Sequence, residues 1–242
     1  RCLKALGSIV HANDEIILIA NESNKIIAKN EISKFECIIS YVDHPNRKTP
    51  GAARNEGLKF ARYDRVIFQD IDDVPTMNRR KICTQALINP GTILACGYQV
   101  MLDDRSIGFR TPFGGINKFF FRTNIFLPAS AVYFRTEKQY FDDDLLVGED
   151  TLFFMQLLLL RYKVTYSDKN AVHYYIQNAK IKSRHGFVAM LNEWKFRKRL
   201  IVTAPNVKNK FIAFLGCLII ITLKLLPFSI FKRIYRKAHA QQ

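Results

Sequence analysis

Cysteine is scarce, and its spacing suits neither a framework nor a metal. The five cysteines among 242 residues (Cys2, Cys37, Cys83, Cys96 and Cys217) are odd in number and never form a C-x-x-C pattern. This argues against a disulfide-stapled fold and against a zinc ribbon, and suits a reducing compartment. Acid is short too: 21 Asp and Glu stand against 37 Lys and Arg, a net charge of +16. The deficit is local. Residues 180–242 hold 14 of the basic residues and a single acid, Glu193, leaving 23 basic and 20 acidic residues before them. A basic end on a nearly balanced remainder predicts an anionic partner for that end, either a membrane surface or nucleic acid. No signal-peptide pattern, internal repeat or low-complexity segment is present. The longest uninterrupted apolar stretch, Phe211–Leu223, falls short of the roughly 20 residues that a spanning helix needs.

What is present is enough apolar residue, 48%, for the core of one large α/β domain, or of one domain with a tail. The stretch that organises the rest is Val66–Asp73, Val-Ile-Phe-Gln-Asp-Ile-Asp-Asp. Strand-forming residues run directly into three carboxylates. A buried strand ending in acids puts them at the carboxyl edge of a sheet, where open α/β folds bind ligands. Carboxylates held together repel unless a cation, a proton or hydrogen-bond donors compensate. Asp70-Ile71-Asp72 therefore reads as a site for a hard divalent metal shared with substrate phosphates, or else as an acidic turn closed by Pro75.

Around it, Arg1–Val10 reads as the end of a helix, and Glu15–Ala20 and Phe35–Val42 read as buried parallel strands. Thr49-Pro50 caps a helix, Gly51–Ala61, whose small first residues suit close approach by an anion or tight packing on a sheet. Asn78–Ile88 reads as a helix and Thr92–Leu102 as a strand. Asp103–Asn117 reads as a loop with Gly114-Gly115 as its flexible point. Ala129–Arg135 is another strand. Thr151–Leu160 is a helix opened by Glu149 and Asp150, acids that the helix dipole would favour in any case. Val164–Ser167 and Ala171–Ile176 read as two short strands. His173 in the second is the kind of lone histidine that usually belongs to a core. Beyond residue 180 come a basic helix, His185–Leu200, and an apolar segment, 211–231, flanked by Lys208, Lys210, Lys232, Arg233, Arg236 and Lys237. That segment reads as lying in an anionic membrane face, or as a buried C-terminal helix.

Six motifs in order then carry a resemblance. They are Asp14-Glu15-Ile16-Ile17, Gly51-Ala52-Ala53-Arg54-Asn55-Glu56-Gly57, Phe68-Gln69-Asp70-Ile71-Asp72-Asp73, Phe141-Asp142-Asp143-Asp144-Leu145, Gly148-Glu149-Asp150-Thr151 and Val172-His173-Tyr174-Tyr175. From about Arg1 to Tyr175 the chain resembles the family 2 glycosyltransferases, inverting bacterial enzymes of GT-A fold. The resemblance implies a Rossmann-like α/β domain over 1–180 with a mostly parallel sheet flanked by helices. A basic helical region, 181–242, follows as a tail. It implies that Asp70 faces the nucleotide, that Asp72 ligates Mn²⁺ or Mg²⁺, and that His173 completes the metal shell. It further implies that Arg54 contacts the nucleobase or phosphates, that Asp150 is the general base, and that Glu149 contacts the acceptor or orients the site. Where the family has a strand ending in two aspartates and a glycine, this chain reads Ile19-Ala20-Asn21-Glu22-Ser23, with Asn21 left to hydrogen-bond a base. The family's first strand would lie before Arg1, beside the strand that ends at Asp70.

The expected function is transfer of a sugar from a nucleotide-sugar, UDP-linked by resemblance, to a glycan or lipid-linked glycan in surface polysaccharide synthesis of the capsule or lipopolysaccharide kind. The expected place is the cytoplasmic face of the bacterial inner membrane. A catalytically inactive, membrane-bound assembly partner is the alternative. A nucleic-acid binder is not expected, because only Trp194–Arg199 interleaves aromatic and basic residues.

Overall fold

The computed structural model describes residues 1–20, 35–43, 49–85, 89–112, 131–135 and 139–240. Asn21 and the Gly114-Gly115 point lie outside the described residues. The described strands are β1 (Glu15–Ala20), β2 (Ile38–Asp43), β3 (Arg65–Ile67), β4 (Val74–Pro75), β5 (Thr92–Leu102), β6 (Arg105–Arg110), β7 (Ala131–Phe134) and β8 (Lys163–Ile176). The helices are α1 (Cys2–Gly7), α2 (Pro50–Phe60), α3 (Met77–Gln85), α4 (Glu149–Leu159), α5 (Asn178–Ser183), α6 (Phe187–Thr203), α7 (Val207–Leu225) and α8 (Phe228–Ala240).

The α/β class holds, with a mixed rather than mostly parallel sheet among the described residues. Parallel pairing is confined to β1–β2 and β5–β8, while β3–β7, β5–β7, β5–β6 and β4–β8 are antiparallel. The pairs form two sheets, β1–β2 and a larger one in the order β3-β7-β5-β8-β4, with β6 on β5. Strand β5 is central, and its buried apolar run Ile93–Cys96 explains why it reads so clearly as a strand. Two sequence expectations are corrected here. Asp103–Asn117 is not all loop: Asp103 and Asp104 take positive φ, 48° and 62°, and turn β5 directly into β6. That is the two-residue hairpin geometry for which aspartate, tolerant of left-handed backbone, is suited. Likewise Val164–Ser167 and Ala171–Ile176 are one strand, β8, whose register on β5 shifts on either side of Gly97. Asn170 Oδ1 accepts the backbone N–H of Gln99 there, at 3.2 Å, so the irregularity leaves that donor satisfied.

Aromatic rings form the floor under the chain segments that matter later. Phe141 stacks on Phe153 with centroids 4.1 Å apart, and Phe68 meets Phe141 edge-on at 5.0 Å. Tyr133 closes the group against Phe153 at 5.4 Å. The C-terminal region does not stand apart from this core, because Phe196, Leu200, Ala204 and Ala213 belong to the same cluster. Buried Phe196 keys against Gly148, the residue before α4, which has φ of 74°. A Cβ there would collide with the Phe196 ring. The Gly148→Ala substitution combines left-handed strain with overpacking, so it should lower stability by about 2–4 kcal/mol. Urea denaturation followed by far-UV circular dichroism measures this, and a loss below ~0.5 kcal/mol would contradict it.

Candidate active site

Three short segments converge on one cavity of about 1870 Å³, which is lined by Arg54, Asp70, Asp72, Glu149 and Asp150 among others. It is larger than a pocket for one small ligand, typically ~300–1,000 Å³.

The first segment is the turn after β3. Asp73 N–H donates to the Asp70 carbonyl at 3.2 Å, closing the turn. Gln69 Nε2 donates to the carbonyls of Asp70 and Asp73, at 2.7 and 3.2 Å. Buried Arg79 from α3 donates to Gln69 Oε1 and to the Phe68 carbonyl. Asp70, Asp72 and Asp73 thus offer carboxylate oxygens all within 4.8 Å of one another. Asp73 is wholly buried; its Oδ1 accepts the Tyr175 N–H at 3.1 Å, and its Oδ2 is buried without a hydrogen-bond partner. Burial, opposed by Lys180 and reinforced by Asp72 and Asp70, pushes its pKa up to about 7. An all-oxygen cluster with an orphaned buried carboxylate oxygen fits a hard divalent cation. Lys180 supplies part of the compensating charge, with Nζ 2.9 Å from Asp72 Oδ2.

The second segment is α2. Its N-cap is Thr49, whose hydroxyl accepts the Ala52 N–H at 3.1 Å and donates to the Asp143 carbonyl at 2.8 Å. Buried Asn55 exchanges hydrogen bonds with the backbone of Phe141, at 2.9 and 2.7 Å. A Cβ on Gly51 would lie 2.7 Å from the Asp142 carbonyl oxygen. Of the two readings of the small residues, close packing therefore accounts for Gly51, since the chain's own backbone occupies the space.

The third segment is the start of α4. Gly148 gives no side-chain cap, and the first-turn acids Glu149 and Asp150 sit where the helix dipole favours them. Asp150 Oδ1 accepts the Thr151 N–H at 2.7 Å, so part of its carboxylate does serve the helix terminus. Burial raises the pKa of Asp150, and burial with the Asp150 charge pushes Glu149 up to about 7 against the pull of Arg54.

Arg54 joins the three. Its Nη1 lies 2.7 Å from Glu149 Oε1 and its Nη2 3.0 Å from Asp70 Oδ1, while its guanidinium sits 5.3 Å over the Phe141 ring. Two of its amino groups are therefore engaged by carboxylates of the two acid groups. His173 is not part of the carboxylate cluster: it pairs with Val74 in the β4–β8 ladder, half-buried, and burial lowers its pKa. Sequence reading missed Asp73 as a member of the acid cluster, Arg79 as the brace of the turn, and the cavity-lining cations Lys180 and Arg184. Arg184 donates to Tyr235 Oη at 2.6 Å and to Tyr174 Oη at 3.3 Å. The run of cations after β8 was the available signal, and only its net charge was read from it.

The geometry brings an acid cluster and a second carboxylate pair to one cavity of an α/β fold. Residues 1–147 match Glycosyl transferase family 2, and the chain belongs to that family. Among solved structures it is similar to S. aureus TarS 1-349 in complex with UDP-GlcNAc, with a TM-score of 0.60 at 17% identity over 88% of this chain. It is also similar to TarS 1-349 in complex with UDP, with a TM-score of 0.54 at 18% identity over 88% of this chain. The alignments span 65% and 64% of those chains, and 40% of the longer S. aureus TarS structure, where the TM-score is 0.54 at 17% identity over 90% of this chain. The fold they share is GT-A. No curated protein matches the sequence significantly.

Removing the bridge should be costly. Arg54→Met leaves Glu149 buried without its partner, and losing one member of a buried pair costs about 3–5 kcal/mol. Adding Glu149→Gln should recover a large part of that loss. Urea denaturation of the single and double variants checks both statements, and a double variant no more stable than Arg54→Met would contradict the pairing.

Proposed function

We propose that this protein transfers a sugar from a nucleotide-sugar to a glycan or lipid-linked glycan acceptor, with inversion, at the cytoplasmic face of a bacterial membrane. The observation that carries the reading is the Arg54 bridge, which ties a cation-binding acid cluster to a second, separately placed carboxylate pair across one cavity. Family membership and a fold shared with TarS, whose structures hold UDP and UDP-GlcNAc, support a UDP-linked donor.

In this reading Asp70, Asp72 and Asp73 would hold Mn²⁺ or Mg²⁺, and His173, opposite Val74 in the β4–β8 ladder, is the neighbouring residue that could complete the shell. The bound cation would neutralise the departing diphosphate. Asp150 takes the proton from the acceptor hydroxyl, and its burial makes it a better base than an exposed aspartate. Glu149, fixed by Arg54, keeps α4 oriented toward the acid cluster. Lys180, now paired with Asp72, would be the cation placed to meet the donor's phosphates were Asp72 engaged by a metal.

Two variants separate the roles. Asp72→Asn should weaken metal-dependent nucleotide binding, because a hard cation prefers carboxylates. Asp150→Asn should retain that binding while turnover drops by roughly 10²–10⁴-fold. Calorimetry with UDP and Mn²⁺, alongside a transfer assay, distinguishes them. Equal loss of nucleotide binding in both variants would overturn the base assignment.

The pH profile gives a further check. A base must be deprotonated to act, and burial raises the pKa of Asp150. The rate should therefore fall, as pH drops, at a pH above the range of an ordinary aspartate. A rate that stays level down to about pH 5 would contradict this sign.

A further inference from the structure

Helix α7 is amphipathic in the opposite sense to a helix enclosed by protein. Asn209, Ala213, Gly216, Cys217 and Lys224 are buried. Val207, Phe211, Phe214, Leu215, Leu218 and Leu225 are exposed, from 39% to 83%. At 3.6 residues per turn these six fall in one stripe about 100° wide, running the length of the helix. The inward face is fixed by charge as well as packing: Lys224 Nζ lies 3.5 Å from Glu193 Oε2, and Arg197 Nε lies 2.9 Å from Glu193 Oε1. The helix therefore cannot roll to hide its apolar stripe without unpairing buried ions.

The exposed charges that residues 180–242 contribute around the stripe are of one sign. Glu193, the one acid of residues 180–242, is spent in that buried network. Lys208 and Lys210 are exposed at one end of α7, and Arg233 and Lys237 are exposed on α8 beyond the other. Neighbouring α6 adds exposed Trp194, Lys195 and Lys198. No helix among the described residues is long and apolar enough to cross a membrane.

We propose that the outer face of α7 docks on an anionic lipid surface, with its apolar stripe in the boundary between headgroups and acyl chains and its flanking cations on lipid phosphates. The occupant follows from the surface itself. A second copy would set like charges against like, and a nucleic acid has no apolar surface to cover six aliphatic and aromatic side chains. This inference deepens the membrane part of the proposed function, and its test reads lipid binding separately from sugar transfer.

The test is flotation of the full 242-residue chain with phosphatidylcholine vesicles, with and without phosphatidylglycerol. The chain should float with the anionic vesicles and release as salt rises. Phe211→Asp combined with Leu218→Asp should weaken partitioning by more than about tenfold and leave the urea midpoint unchanged, since both side chains point outward. Should the aspartates unfold the chain, Phe211→Ser with Leu218→Ser takes their place. Failure of the wild-type chain to float, or equal flotation of the variant, would overturn the proposal. So would a wild-type dimer in sedimentation velocity that the variant dissolves while neither binds vesicles, or salt-sensitive capture by DNA with no affinity for vesicles.

Discussion

The ion pairs of Arg54 are the constraint on which the site depends. Asp70, Glu149 and Asp150 are acids from segments far apart in the chain, and Arg54 and Glu149 are 95 positions apart. Bringing such acids to one cavity wall costs electrostatic energy that water cannot fully relieve, because the Arg54 and Glu149 side chains are only 12% and 8% exposed. A planar guanidinium with two forward-facing amino groups offsets that repulsion and also sets the distance between the groups, which a lysine's single point charge would not do. The aromatic floor of Phe68, Phe141 and Phe153 sits under the same segments, so packing and charge impose one geometry together.

Much of this frame was legible in the sequence because it is local. Strand formers followed by acids located the turn after β3. Thr49-Pro50 located the start of α2 through capping chemistry alone, and apolar runs located β1, β5 and α4. What stayed hidden was relational. Spacing could not say whether Gly51 made room for a ligand or for the Asp142 carbonyl. An Asp-Asp pair did not announce a hairpin as Asn-Gly would have, and a strand interrupted by polar Asp168, Lys169 and Asn170 read as two. The direction of strand pairing is likewise not written in an apolar run. Arg54 read, by resemblance, as a contact to the nucleobase or phosphates, and its pairing with Asp70 and with Glu149, 95 positions on, is not written in its own motif. Asn21 lies outside the described residues. His173 sits on a ladder and not in the acid cluster, a distinction that the residue type alone cannot make.

The C-terminal helices read from sequence as a tail, yet they brace the site. Phe196 keys against the glycine that opens α4, and the Glu193–Arg197–Lys224 network fixes α7 to α6. The apolar residues of α7 served two faces at once, one toward protein and one outward, and a continuous run such as Phe211–Leu223 conceals that division. Lipid docking by α7 and the packing of α6 against α4 would then be linked through that ion network.

Strands β1 and β2 hold to the rest of the molecule differently from β5 and β8. Among the described residues they form a backbone ladder only with each other. Contact with the remainder runs through side chains: Glu15 with Arg62, Asp14 with Arg80, and Ile19 against α2 near Gly57. Every residue of β1 is only half-buried, and Ile16, Ile17, Leu18 and Ile19 line the same cavity as the acids. The protein is therefore divided into unequal cooperative units, one a well-laddered sheet carrying the acids and the other a pair of strands that can open at lower free energy. In amide hydrogen exchange the two units would separate by rate, and a ligand spanning the cavity would draw them together into one.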